Sequence, residues 1–598
     1  MNRPSTRHPA RAALLPLALA AALTLSCIAA AAAAAGPDPT LAAVLSDYDL
    51  LLADLDPVGA AARGDAEAAR RWPDHSPANI AALTRRMTAI RKRLQALDGQ
   101  ALGDADALNR ELLERRIDID LEGLAFDEQR IPFTSDEGFF LLPMFAAQES
   151  RLRTAAEAEA YLVRLASVPR YFAIETANLR RGLATGFVQP RLTAAAAATI
   201  VRALADQPAA DSPLLEPLKN LPSTLPKEER ERLYQRGLEI TESQVIPTER
   251  ALADFFEKIY VPKARSTLGA SRLPNGKAYY SYLVRRETTS DLTPDQIYEL
   301  GRSEIARIRK AMDGVIAAAG FKGSFSEFQR FLRTDPQFYA TSREQLLEKA
   351  SRIAKRIDDQ LPGYFGTLPR LTYGVRPVPA ALEAGYTSGR YNPGSPVRGV
   401  AGGLMINTSF LDQRPLYELP ALVAHEGVPG HHLQIAVAQE QAAGVPEFRK
   451  QEGITAYVEG WALYTEQLAA EMGIYQTPYE RFGMLSMEMW RACRLFVDVG
   501  IHWKGMSRDE AVACLRDNSA LADKNIQNEV NRYISWPGQA LGYKIGELKI
   551  MELRHRAEAT LGPAFDVRKF HDVVLLEGAM PLTVLERRVD AWIAAQRH

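Results

Sequence analysis

His425 is followed at once by Glu426, and His431 and His432 come six and seven residues later. Three of the chain's nine histidines therefore fall within eight residues. Neutral imidazole is the commonest side-chain ligand for zinc, and a carboxylate beside such a ligand is placed to take a proton from an attacking water. A second carboxylate, Glu459, sits among Ile454, Tyr457, Val458, Trp461, Ala462 and Tyr464, which make the broad apolar face of a helix. A charge there is costly unless it is paired or bound to a cation, which selects Glu459 over Glu466, whose position reads as closer to solvent. His425, one of His431 and His432, and Glu459 make a cysteine-free set of three ligands. Such a set leaves the open fourth position that a catalytic zinc needs. Glu426 is then the general base.

The spacing departs from the His-Glu-x-x-His helix, in which histidines four apart share one face. Four residues after His425 stands Pro429, followed by Gly430. Proline removes a backbone donor and crowds the preceding turn, so the pair widens or breaks the helix there. Seven residues on an ideal helix return to nearly the same face but climb about 10.5 Å. Six climb less and reach the wrong face unless the Pro-Gly distortion corrects it. His431 is favoured because a two-residue bulge disturbs the helix least, and His432 stays open.

The run from His425 to Gln434 resembles the His-Glu-x-x-Pro-Gly-His-His-x-Gln signature of the bacterial domain-of-unknown-function 885 family. The likeness continues through Glu459-Gly460-Trp461-Ala462-Leu463-Tyr464, Arg491-Ala492-Cys493-Arg494-Leu495, Asp498-Val499-Gly500-Ile501-His502 and Pro537-Gly538-Gln539-Ala540. It covers most of the mature chain and is most specific from Tyr386 onward. That family in turn resembles zinc peptidases whose third ligand is a glutamate on a following helix. The resemblance implies a mainly α, multi-helix zinc-peptidase-like scaffold, a Zn2+ ion and a peptide or other amide as substrate. From the matched C-terminal blocks, His502 and Tyr533 are candidates for stabilising an oxyanion, with Tyr543 beside them. Asp498 is a candidate to orient a ligating histidine, and Arg390 and Arg398 to fork onto a substrate carboxylate.

The elements that must position these residues read as follows. Residues 1–35 are a leader: Arg3, Arg7 and Arg11 precede an apolar stretch from Leu14 to Ile28, and cleavage after Ala35 fits the small-x-small rule. Thr24-Leu25-Ser26 before Cys27 is a poor lipobox, so a soluble periplasmic or secreted protein is the expectation over a lipoprotein. No later segment reads as a membrane span. Residues 36–260 read as an N-terminal helical region and 261–598 as the catalytic region, with helices at 76–97, 107–127, 154–183, 192–204 and 227–260. Residues 279–284, Tyr-Tyr-Ser-Tyr-Leu-Val, have strand-like composition. Residues 370–410 are rich in Gly, Pro, Tyr and Val and predict a small antiparallel sheet before the motif helix, with 402–408 as an edge for an extended substrate.

Hydrophobic residues at 47%, charged residues at 24% and a net charge of -1 describe an ordinary globular chain with no electrostatic case for nucleic acid. The two cysteines after the leader, Cys493 and Cys514, lack metal-ligand spacing, and serine-hydrolase and P-loop signatures are absent from the sequence. The reading is an exported zinc-dependent peptidase. The alternatives are a metal-dependent amidase on a non-peptide amide, and a non-catalytic periplasmic binding protein on the same scaffold.

Overall fold

Helix follows helix along nearly the whole chain, and the only sheet among the described residues has three strands. The structure is a computed structural model that describes residues 38–99, 101–379, 383, 387–396, 399–440, 445–450 and 453–597. The expected leader with Cys27, and Arg398 and Tyr386, lie outside the described residues. The mainly α expectation is borne out. One cluster of buried side chains joins the first helices (Leu41, Tyr48, Leu83) to C-terminal ones (Tyr457, Leu585), a second gathers residues from Phe133 to Ala264, and a third runs from Ile308 to Ala540.

Several elements differ from the sequence expectation for identifiable reasons. The run at 154–183 is two helices, Ala155–Ala166 and Val168–Thr185, because Pro169 suits a helix start but not an interior. The strand-like tyrosines lie instead on a helix, Gly276–Thr288, here α1. Tyr279, Tyr280, Leu283 and Val284 are buried at helical spacing, and Tyr280 donates to Asp498 at 2.7 Å. Tertiary burial overrides their composition.

The sheet is mixed, not antiparallel. Strands β1 (Tyr373–Pro377), β2 (Gly389–Asn392) and β3 (Gly402–Ile406) take the order β1-β3-β2, with β3 parallel to β1 and antiparallel to β2. The segment expected to be an edge, β3, is therefore the central strand. All five of its residues are buried, as a continuous apolar run requires. The alternating burial of β2 is that of a strand with one exposed face.

Of the helices that follow, five carry the chemistry-bearing motifs: α2 (Leu419–Glu426), α3 (His431–Gln439), α4 (Thr455–Glu471), α5 (Pro478–Val499) and α6 (Gly542–Leu561). Helices α4 and α6 meet backbone to backbone: a Cβ at Gly460 would lie 2.5 Å from the Cα of Gly546. Behind them, the fully buried Lys544 of α6 is held by Glu547 at 2.7 Å, by Glu488 of α5 at 2.8 Å and by Glu304 at 3.2 Å. Removing one partner of such a buried network leaves a charge uncompensated.

Two buried histidines serve the fold. His502 accepts from the Ala270 backbone N–H at 3.0 Å through Nδ1 and donates from Nε2 to the Tyr533 carbonyl at 2.8 Å. His571 donates from Nδ1 to the Tyr364 carbonyl at 2.8 Å, while its Nε2 bonds the Tyr464 hydroxyl at 2.7 Å. Each is a neutral ring, one donor and one acceptor, and burial pushes both down to about 3. A depressed histidine stabilises the fold above the unfolded value near 6.5, and that contribution is lost as pH falls toward the folded value. The deficit of His571→Gln relative to the wild type therefore shrinks by about 1.4 kcal/mol per pH unit between about pH 6 and pH 4.5. Urea unfolding of both proteins across that range measures it, and a constant deficit would count against a neutral His571.

Candidate metal centre

Helix α2 carries His425 in its last turn and ends on Glu426. The chain then turns through Gly427-Val428-Pro429-Gly430, with a cis Val428–Pro429 peptide, and a new helix starts at His431. The two histidines thus lie on separate helices, and the spacing of six no longer has to obey one helical face. The Gly430 N–H closes the turn onto the Ala424 carbonyl at 2.9 Å, and the His432 N–H onto that of Gly427 at 3.1 Å. Only glycine fits at 430, since a Cβ there would lie 1.9 Å from the His425 carbonyl oxygen. The Trp461 indole N–H of α4 donates to the Pro429 carbonyl at 2.9 Å and pins the turn from outside. The result sets the His425 and His431 rings perpendicular, with centroids 4.9 Å apart.

Glu459 enters from α4. Its Oε2 lies 3.4 Å from His425 Nε2 and 3.3 Å from His431 Nε2, and the three donor atoms fall within 4.8 Å of one another. Two donors each about 2.0–2.1 Å from a tetrahedral ion are separated by about 3.3–3.4 Å, so this set fits zinc. Glu459 Oε2 is buried without a hydrogen-bond partner, as expected of an atom aimed at an ion. Charge agrees. Burial would raise the Glu459 carboxyl, but His431 and His425 hold it well below the usual range. Burial would likewise lower His425, but Glu459, Glu466 and Glu426 outweigh it and push the imidazole up to about 9. A cluster that draws positive charge this strongly stabilises a divalent cation.

The other nitrogen of His425, Nδ1, bonds Glu466 Oε1 at 2.8 Å, and Arg491 Nη2 of α5 stands 3.7 Å from the same oxygen. Glu459 and Glu466 are two helical turns apart on α4, so one helix reaches both nitrogens of one ring. The sequence argument separating them had their exposure reversed: the Glu466 side chain is 1% exposed and that of Glu459 21%. Glu466 is the residue that orients His425 and was missed as such; its two-turn spacing from Glu459 was the available signal. Asp498 does not take this role. It accepts from Tyr280 and from the Gly538 N–H at 3.1 Å, away from the histidines, and burial raises it to about 7.

Glu426 Oε2 accepts from the Tyr391 backbone N–H of β2 at 2.7 Å, which sets the carboxylate at the edge of the sheet, next to the ligand it follows in sequence.

The remaining candidates part from the centre. His432 is not in the cluster: its Nε2 donates to the Leu371 carbonyl at 3.0 Å and its Nδ1 pairs with the Tyr391 hydroxyl at 2.9 Å. Burial lowers it to about 4, so it is a neutral clamp holding β2 against α3. His502, as described, spends both nitrogens on the fold. Tyr533 is buried with its hydroxyl accepting from Trp490 at 2.7 Å and Arg494 at 3.0 Å, so it too is committed to packing. Tyr543 lies under the Arg494 guanidinium at 4.2 Å. Arg390 is half-exposed and 4.0 Å from Glu137. Cys493 and Cys514 are free thiols.

A family model described as "bacterial protein of unknown function (DUF885)" matches residues 57–589. The chain belongs to the DUF885 family. A crystal structure from Colwellia psychrerythraea, titled as a "putative lipoprotein", matches this DUF885 chain with a TM-score of 0.87 at 28% identity, over 93% of this chain and 99% of that one. Another, a "putative lipoprotein of unknown function" from Shewanella oneidensis, matches with a TM-score of 0.72 at 17% identity, over 92% and 99%, and shows a shared fold alone. No curated protein matches the chain. No helix among the described residues is long and apolar enough to cross a membrane.

The geometry separates the roles of the carboxylates and histidines by measurement. Glu466→Gln lowers zinc affinity about 10- to 100-fold in chelator competition, whereas His432→Phe keeps one ion per chain. Loss of the ion from His432→Phe alone would contradict this ligand set.

Proposed function

We propose that the protein is an exported metal-dependent hydrolase of peptide bonds. The observation that carries this reading is the convergence of His425 Nε2, His431 Nε2 and Glu459 Oε2 beside Glu426, the residue that follows the first ligand. When bound there, a zinc ion supplies Lewis acidity to a carbonyl oxygen and acidity to the attacking water. Glu426 takes the proton from that water and returns it to the departing amine, with its other oxygen steadied by the Tyr391 N–H. Glu466 fixes the His425 ring and its tautomer, and the Arg491 guanidinium stands beside Glu466.

The sheet suggests how an extended substrate lies. β3 pairs with β2 along one edge of that strand, and the other edge of β2 carries the Tyr391 N–H toward Glu426. A peptide added along this outer edge of β2 presents its backbone to Glu426, so β2 replaces β3 as the substrate strand. Export is supported by the leader in residues 1–35 and by the lipoprotein names of the two similar structures.

Zinc-loaded wild type cleaves members of a mixed peptide library, and Glu426→Gln loses at least about 100-fold in kcat/KM while keeping its metal. Mass spectrometry of the products reads the first and metal analysis the second. A metal-loaded protein that cleaves no peptide overturns the peptidase reading and leaves the amidase or binding-protein reading.

A further inference from the structure

Away from the histidine cluster, residues 131–145, α1 and residues 535–537 line an open cavity of about 470 Å³. Six aromatic residues stand in its walls: Phe133, Phe139, Phe145, Tyr171, Tyr279 and Trp536. Gln189 joins two of the walls, its amide donating to the Phe133 carbonyl at 2.8 Å and to the Ser535 carbonyl at 3.1 Å. The charged groups at the lining are already engaged with partners, Glu137 among them through Arg390. Arg286 meets Glu287 at 3.0 Å and Glu128 at 3.1 Å, and His75 meets Glu175 at 2.6 Å. What the surface offers a ligand is chiefly apolar contact, in a volume usual for ligand clefts.

The cavity stands beside the strand that meets Glu426. Glu137 of its lining is 4.0 Å from Arg390, and Arg390 directly precedes Tyr391 on β2. An extended chain advances about 3.3 Å per residue, so the gap bridged by one arginine and one glutamate side chain is crossed in about four residues. A peptide on the edge of β2 can thus place one side chain in the cavity while its backbone passes Glu426.

We propose that this cavity is a specificity pocket for a large apolar side chain, aromatic above all, of an extended peptide. The proposal rests on the peptide-hydrolase reading and names the class of substrate that reading lacks. Leu142, half-buried in the wall, and Phe145, exposed at its outer side, are the residues through which the pocket is altered without touching the metal ligands.

The test uses the full chain carrying Glu426→Gln, so that binding is read without turnover. Fluorescein-labelled heptapeptides, with phenylalanine moved through an alanine background, are titrated by fluorescence polarisation. At one position phenylalanine binds about tenfold more tightly than alanine. Leu142→Trp, which narrows the cavity, weakens that preference several-fold and leaves the all-alanine peptide unchanged, and Phe145→Ala weakens it as well. Equal affinity for phenylalanine and alanine at every position, no peptide binding at all, or a preference untouched by both substitutions overturns the proposal. Peptides that bind with the expected preference but are not cleaved by zinc-loaded wild type instead remove the hydrolase reading and leave the pocket.

Discussion

Glu459 and Glu466, two turns apart on one face of α4, reach the two nitrogens of the His425 ring, and much of the surrounding structure keeps α4 where it can do so. Glycine at 460 lets α6 press backbone to backbone against α4, and the indole of Trp461 holds the Pro429 carbonyl of the turn that delivers His431. The Glu459-Gly460-Trp461 triplet is therefore a candidate ligand, a packing contact and a latch in consecutive positions. Shifting α4 by a fraction of a turn would undo all three. The gathered carboxylates are expensive to bury apart from a cation, so the site is a place where folding free energy is held against the arrival of positive charge.

Histidine is used here in two ways, and the surroundings separate them. His425 and His431 turn Nε2 toward an unpartnered carboxylate oxygen. His432, His502 and His571 each bridge a carbonyl on one nitrogen and a hydroxyl or N–H on the other. In the first arrangement the His425 imidazole is pushed up by its carboxylates; in the second, burial pushes each ring down. Adjacent residues, His431 and His432, fall on opposite sides of that division because they open a helix and point about 100° apart around its axis.

Much of the site was legible in the residues themselves. His425 and Glu459, which the fold brings together, were picked out by residue type and spacing, though the exposure argument for Glu459 did not hold, and the mainly helical fold was readable from its periodicity. What sequence could not resolve depended on long-range placement. The choice between His431 and His432 turned on the Pro-Gly segment ending one helix and starting another, which no single-helix geometry anticipates. Glu466 was passed over because the burial of a helix face depends on what packs there, here α2 and Arg491 of α5. Tyr279, Tyr280 and Tyr282 read as strand because aromatic composition favours strands, yet a helix buried on several sides gives each its own partner, Glu128, Asp498 and Phe126. The central place of β3 was readable in its uninterrupted apolar run, but its parallel pairing with β1 required knowing that β2 lies on the far side.

The central claim is that one divalent ion is held by two imidazoles and a carboxylate. X-ray absorption at the zinc edge of the loaded protein tests it most directly. The account predicts two imidazole nitrogens and oxygen donors, all at about 2.0–2.2 Å, with one imidazole lost in His431→Ala and none in His432→Ala. A first shell with three imidazoles, or one that changes in His432→Ala and not in His431→Ala, would contradict it.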